Sequence, residues 1–170
     1  ETIIDEPIEN ELIIIQTSKS QYGIAVDIGT TTLVLYFYNL ITNEIITIQS
    51  KKNEQAAYGT DLISRLNFYC DNDDKGILQR IIVEQINTII VSVCNDYNFE
   101  YNQITRLAIT GNTAMLHLIS GIDATSLTAS PYFPMSLFGI EERAIRLGLK
   151  VNQKATVYLA PCVSAMVGGD

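Results

Sequence analysis

An α/β fold built on one mixed sheet is what this sequence predicts, and three observations carry the prediction. Three strand-like runs, at residues 23–26, 33–38 and 44–49, follow one another through tight connections and make an antiparallel meander. Residues 77–96 then repeat apolar side chains (Leu78, Ile82, Ile86, Ile89, Ile90 and Val93, with Tyr97 just beyond) at three- and four-residue steps, which predicts a helix covering a sheet face. Later strands at 105–110 and 155–160 are each preceded by helical pattern, as parallel neighbours require. The order is β-β-β-α-β-α-β-α, and helices on both faces of the sheet are the expected layering.

Taken in order, residues 1–20 read as a lead-in, with an edge strand over 11–15, and residues 21–170 as one lobe. The first strand runs from Gly23 into Asp27, and the third is rich in Ile and Thr. A helix is expected over 61–70, with Leu62, Leu66 and Tyr69 on a common face. Asp61 and Arg65 fall one turn apart on it and read as an intrahelical ion pair, with partner docking as the alternative. Asp71-Asn72-Asp73-Asp74-Lys75-Gly76 breaks that helix. An EF-hand there would need a Glu at its twelfth position, where Ile82 stands, so calcium is rejected and the run is a solvated loop.

After the 105–110 strand comes Gly111-Asn112-Thr113 and a helix through Ile119, closed by Gly121 as a C-cap. Its His117, the only histidine, sits between Leu116 and Leu118 and reads as structural. Pro131 and Pro134 frame an irregular segment in which Tyr132 and Phe133 are open to a core or a partner-facing role. Residues 140–147 are expected as a short helix, and 163–170 as the start of another.

Composition narrows the function. The 170 residues are 47% hydrophobic and 18% charged, with net charge −8, so neither the basic face of a nucleic-acid binder nor attraction to an anionic membrane is present. Three widely spaced cysteines, Cys70, Cys94 and Cys162, without a C-x-x-C pair, offer no local zinc or iron–sulfur ligand set and point to a reducing cytoplasm.

Chemistry concentrates at strand ends. Ala25-Val26-Asp27-Ile28-Gly29-Thr30-Thr31-Thr32 carries an apolar strand into a carboxylate, a glycine and three hydroxyls before the next strand begins. Backbone N–H groups at such a tip can surround phosphate oxygens, and Asp27 can hold Mg²⁺ directly or through water. An ordinary turn uses the same residues. Asn112 and Thr113 suit helix capping first and phosphate or water binding second. Asp27, the Gly111 segment and Pro161-Cys162 are expected to converge beyond the carboxyl ends of the strands.

The first motif resembles the phosphate loop of the sugar kinase, heat-shock chaperone and actin superfamily, whose lobes are ribonuclease H-like. Pro161 to Asp170 is similar to its interdomain helix, with Ala160 in place of a glutamate. Three further segments make a narrower resemblance, to the reductive activators of corrinoid proteins: Tyr58-Gly59-Thr60-Asp61-Leu62-Ile63-Ser64-Arg65, Gly111-Asn112-Thr113-Ala114-Met115-Leu116-His117-Leu118, and the stretch from Ala160 to Asp170.

That resemblance spans about residues 22–170. It implies the first lobe of an actin-like ATPase domain, in a protein that uses ATP and Mg²⁺ to return a corrinoid partner from cobalt(II) to cobalt(I). It implies that Gly29, Thr30 and Thr31 hold phosphate, that Asp27 positions Mg²⁺ or its water, and that Gly111, Asn112 and Thr113 complete the site. A [2Fe–2S] domain and a second lobe are expected outside this chain. A metabolite kinase and a non-catalytic docking lobe are the alternatives, and a homodimer is left open.

Overall fold

Alternation along β1 (Tyr22–Ile28) organises the molecule. In the computed structural model, which describes residues 21–164, Ile24, Val26 and Ile28 are buried while Ala25 and Asp27 are only half-buried. Successive side chains of a strand point to opposite faces, so β1 has one core face and one open face. β2 (Thr32–Asn39) pairs antiparallel with β1 and aligns Leu33, Leu35 and Phe37 with that core face. β3 (Glu44–Lys52) completes the antiparallel meander at the sheet edge.

The chain then makes a 3-10 turn at Glu54–Tyr58 and two helices, α1 (Leu62–Asp71) and α2 (Ile77–Asp96). It returns as β4 (Ile104–Gly111), parallel to β1, with Leu107 and Ile109 in the core. α3 (Thr113–Ser120) follows, then β5 (Ile140–Arg143) and β6 (Thr156–Leu159). The strand order is β3-β2-β1-β4-β6-β5, with β6 parallel to β4 and β5 antiparallel to β6. This is the mixed, ribonuclease H-like sheet expected from the sequence.

α2 buries Leu78, Ile82, Ile86, Ile90 and Val93 against this core and packs beside α3. By length and composition alone α2 could be weighed as a membrane span, but half of its apolar window is buried inside the fold. The other sheet face carries a row in register across all six strands: Ile48, Tyr36, Ala25, Ala108, Tyr158 and Glu141. Ile48 and Tyr158 are exposed there, so among the described residues the helices cover one face and not the two that the sequence predicts. The edge strand expected over residues 11–15 and most of the helix expected over 163–170 lie outside the described residues.

Most element expectations match: α2 has the predicted bounds, and Gly121 takes the left-handed conformation (φ 72°) of a C-cap. One does not. Residues 140–147 are not a helix but β5 followed by a 3-10 turn at Ala144–Leu147. Glu141, Glu142, Arg143 and Ala144 favour helix by propensity, yet the ladder to β6, from Ile140 opposite Leu159 to Arg143 opposite Thr156, overrides it.

His117 is wholly buried. Its Nδ1 lies 2.7 Å from the Thr113 carbonyl, which can only accept, so Nδ1 carries the proton. Nε2 is then left to accept from the Ser136 N–H at 3.3 Å, and Phe138 packs edge-on against the ring. Burial pulls the His117 pKa below its ordinary 6.5, with the Thr113 bond and the charge of Asp123 opposing. The unfolded chain therefore takes up this proton more readily than the folded one. The stabilisation is complete above about pH 6.5 and is lost as the pH falls below it. Denaturation between pH 5 and pH 7 should show stability rising with pH, with a flatter profile in His117→Gln; identical profiles would contradict this assignment.

Candidate phosphate-binding site

The hairpin between β1 and β2 closes through Gly29 N–H donating to Thr32 O at 2.9 Å. A Cβ on Gly29 would sit 2.8 Å from that same oxygen, so the tip accepts no side chain there. All three tip carbonyls are held from the protein side. Gly29 O accepts from Asn53 Nδ2 at 2.8 Å, Thr30 O from Arg65 Nη2 at 2.8 Å, and Thr31 O from Asn53 N–H at 2.8 Å. In a trans peptide the next residue's N–H points opposite to the carbonyl. The N–H groups of Thr30 and Thr31 are therefore turned outward, and neither has an acceptor among the described residues. The tip is an outward-facing pair of amides beside exposed threonine hydroxyls.

The donors beneath are themselves fixed. Asn53, fully buried at the end of β3, caps the following 3-10 turn by accepting from Gln55 N–H at 3.0 Å. Arg65 of α1 is also fully buried. Besides Thr30 O it donates to Gly59 O through Nε (3.2 Å) and Nη2 (2.9 Å), and Nη1 reaches Gln55 Oε1 (3.3 Å) and Met115 Sδ (3.4 Å).

This overturns the expected Asp61–Arg65 ion pair. Asp61 is exposed and serves as the N-cap of α1, in a reciprocal box with Ser64 whose hydrogen bonds hold its pKa below the ordinary carboxylate value. Arg65, one turn on, faces inward. Burial lowers its pKa, with the charge of Asp61 opposing, but a guanidinium stays protonated. A Cβ on Gly59 would fall 2.4 Å from Arg65 N, so only glycine lets that loop lie against the helix. The Tyr58-to-Arg65 segment is a device that delivers a guanidinium to the underside of the tip.

The other candidate residues divide. Asp27 lies on the open face near the end of β1, in register with Val34 on β2 and Thr110 on β4. Thr110 Oγ1 is buried there with no hydrogen-bond partner among the described residues. Gly111 pairs with Ile28, and a Cβ on it would lie 2.7 Å from Ile28 O, so its role is to let β4 close against β1.

Asn112 does two things. Its Oδ1 caps α3 by accepting from Met115 N–H at 3.0 Å, and its Nδ2 donates to Thr30 Oγ1 at 3.1 Å. Thr113 turns its hydroxyl away from the tip, toward Ser164 O. The fold thus brings Gly29, Thr30, Thr31 and Asn112 together with Asp27 nearby. Asn53, which the sequence analysis does not single out, and Arg65, which it reads as an ion-pair or docking residue, hold the tip from beneath. The one available signal was Ser64 three residues after Asp61, which marks a cap and frees Arg65 from a pairing role.

Among the described residues no group of three metal-ligating side chains forms. A lone carboxylate beside an unsatisfied hydroxyl fits Mg²⁺, which keeps several waters and is held mainly by substrate phosphates. The cysteines do not gather: Cys94 is buried and its thiol is pushed up to about 11, while Cys70 and Cys162 are free thiols elsewhere.

The model of the RACo middle region family matches residues 22–170. The chain belongs to that family. The corrinoid activation enzyme RamQ of Eubacterium limosum is 30% identical over 158 residues, which is 91% of this chain and 26% of RamQ. A solved structure described as a reductive activator for corrinoid, iron-sulfur protein superimposes with a TM-score of 0.86 at 34% identity, over 89% of this chain and 24% of that one. This RACo middle region spans about a quarter of the length of these relatives.

Asn53→Ala removes the donor to Gly29 O and the cap on Gln55. It should destabilise the fold by about 1–3 kcal/mol, because a buried carbonyl and a buried N–H lose their partners. Thermal unfolding should move down by several degrees; an unchanged midpoint would show that the tip is held in some other way.

Proposed function

We propose that this RACo middle region is the phosphate-binding lobe of an ATP-dependent reductive activator, which returns a cytoplasmic corrinoid protein from cobalt(II) to cobalt(I). One observation carries the reading: the tip carbonyls are all turned inward, so its amides face outward beside Asp27. Such an array suits the terminal phosphates of a nucleotide. The relatives named for corrinoid activation support the choice of reaction over a metabolite kinase.

Roles for this chain's residues follow. The Thr30 and Thr31 N–H groups and hydroxyls bind phosphate oxygens. Gly29 lets the backbone approach them, and Asp27 would hold the hydrated Mg²⁺ that would neutralise their charge. Asn112 fixes the Thr30 hydroxyl. Hydrolysis of ATP by water to ADP and phosphate then rests on positioning and charge stabilisation. No residue of this chain would hold the expected [2Fe–2S] cluster; bound elsewhere in the whole protein, it would supply the single electron that converts cobalt(II) to cobalt(I). The lobe's contribution to that transfer is to favour one domain arrangement when nucleotide is bound.

In the full-length activator, Asp27→Ala should lower the ATP-driven rate of cobalt(I) formation, followed by its optical spectrum, by at least about 100-fold. A wild-type rate in that variant would favour a docking lobe without ATP chemistry.

A further inference from the structure

We propose that Arg65 is a positioning residue for the nucleotide's terminal phosphates, acting from beneath the tip through the Thr30–Thr31 peptide. The proposal rests on reading the tip as a phosphate site. Its own evidence is the chemistry around the guanidinium.

Arg65 is fully buried, yet its hydrogen-bond acceptors are all neutral: Gly59 O, Thr30 O, Gln55 Oε1 and Met115 Sδ. Among the described residues it makes no ion pair, because the nearby Asp61 is exposed and engaged with Ser64. Buried charges are ordinarily paired, since removing one from water is costly. A buried cation held by neutral groups is a standing positive charge.

Its position gives that charge a direction. Nη2 donates to Thr30 O at 2.8 Å, and the same peptide presents Thr31 N–H on its far side. A charged donor on the carbonyl polarises the peptide and strengthens the opposite N–H as a donor. An anion accepting from Thr31 N–H would then lie one peptide from the guanidinium, close enough for their charges to interact. The ion-pair partner that Arg65 lacks among the described residues would arrive with the ligand. Lysine does not replace it, because a point charge cannot reach Thr30 O and Gly59 O with the fixed fork that arginine uses.

The test compares ligands that differ only in phosphate charge: Mg-ATP, Mg-ADP and adenosine, titrated calorimetrically against full-length activator with Arg65 intact, Arg65→Gln or Arg65→Lys. A purely structural role would weaken all three ligands by one factor. The proposal expects a graded loss in Arg65→Gln: roughly tenfold to a hundredfold for Mg-ATP, less for Mg-ADP, and within about twofold for adenosine. Arg65→Lys should show the same gradation with smaller losses, and it carries the test alone if the Gln variant does not fold. Equal losses across the ligands, or none, would overturn the role of Arg65. A wild-type protein that binds adenosine as tightly as Mg-ATP would overturn the phosphate reading itself, and this proposal with it.

Discussion

Everything at this site depends on where three carbonyl oxygens point. Gly29, Thr30 and Thr31 form a short tip that could present either edge of its peptides to solvent. Two buried residues, Asn53 and Arg65, take the oxygens from below, and planarity of the peptide does the rest. The outward amides are thus a consequence of interior packing. That is why the site is bound up with α1, the turn after β3 and α3, none of which forms its visible surface.

The sheet supplies the matching constraint. β1 and β4 run parallel and end together, with Ile28 opposite Gly111. The missing side chain at Gly111 lets the two strand ends meet, so α3 begins beside the hairpin tip and Asn112 can cap the helix while holding Thr30 Oγ1. Further along the helix, His117 ties α3 to the segment around Ser136, and Thr113 reaches Ser164 after β6. A ligand that tightened the tip would therefore act on the start of α3 and, through it, on the chain beyond β6. Nucleotide-driven domain movement needs such a connection, in which contacts differ between arrangements.

Much of this was legible in the sequence where a single physical cause dominates. The period of α2, the apolar runs of β1 and β2, and the glycine at the end of α3 each follow from local geometry. The structural reading of His117 agrees with its burial and with its two backbone partners, Thr113 O and the Ser136 N–H. The failures share a different cause. Residues 140–147 carry helix-forming side chains, but a vacant sheet edge at β6 decided their state. Asp61 and Arg65 looked complete as an i,i+4 pair, while the capping demand of α1 and the unsatisfied carbonyls of the tip separated them. Asn53 drew no reading from the sequence because its partner, Gly29, lies far away in the chain. In each case a long-range hydrogen-bonding requirement prevailed over a local preference.

The most direct measurement is a crystal structure of the full-length activator with Mg²⁺ and a non-hydrolysable ATP analogue. The account predicts terminal phosphate oxygens within hydrogen-bond distance, about 3 Å, of Thr30 N and Thr31 N. It also predicts that Arg65 still holds Thr30 O from the opposite side. A triphosphate seated elsewhere, or a tip whose peptides turn over so that the carbonyls face the ligand, would contradict it.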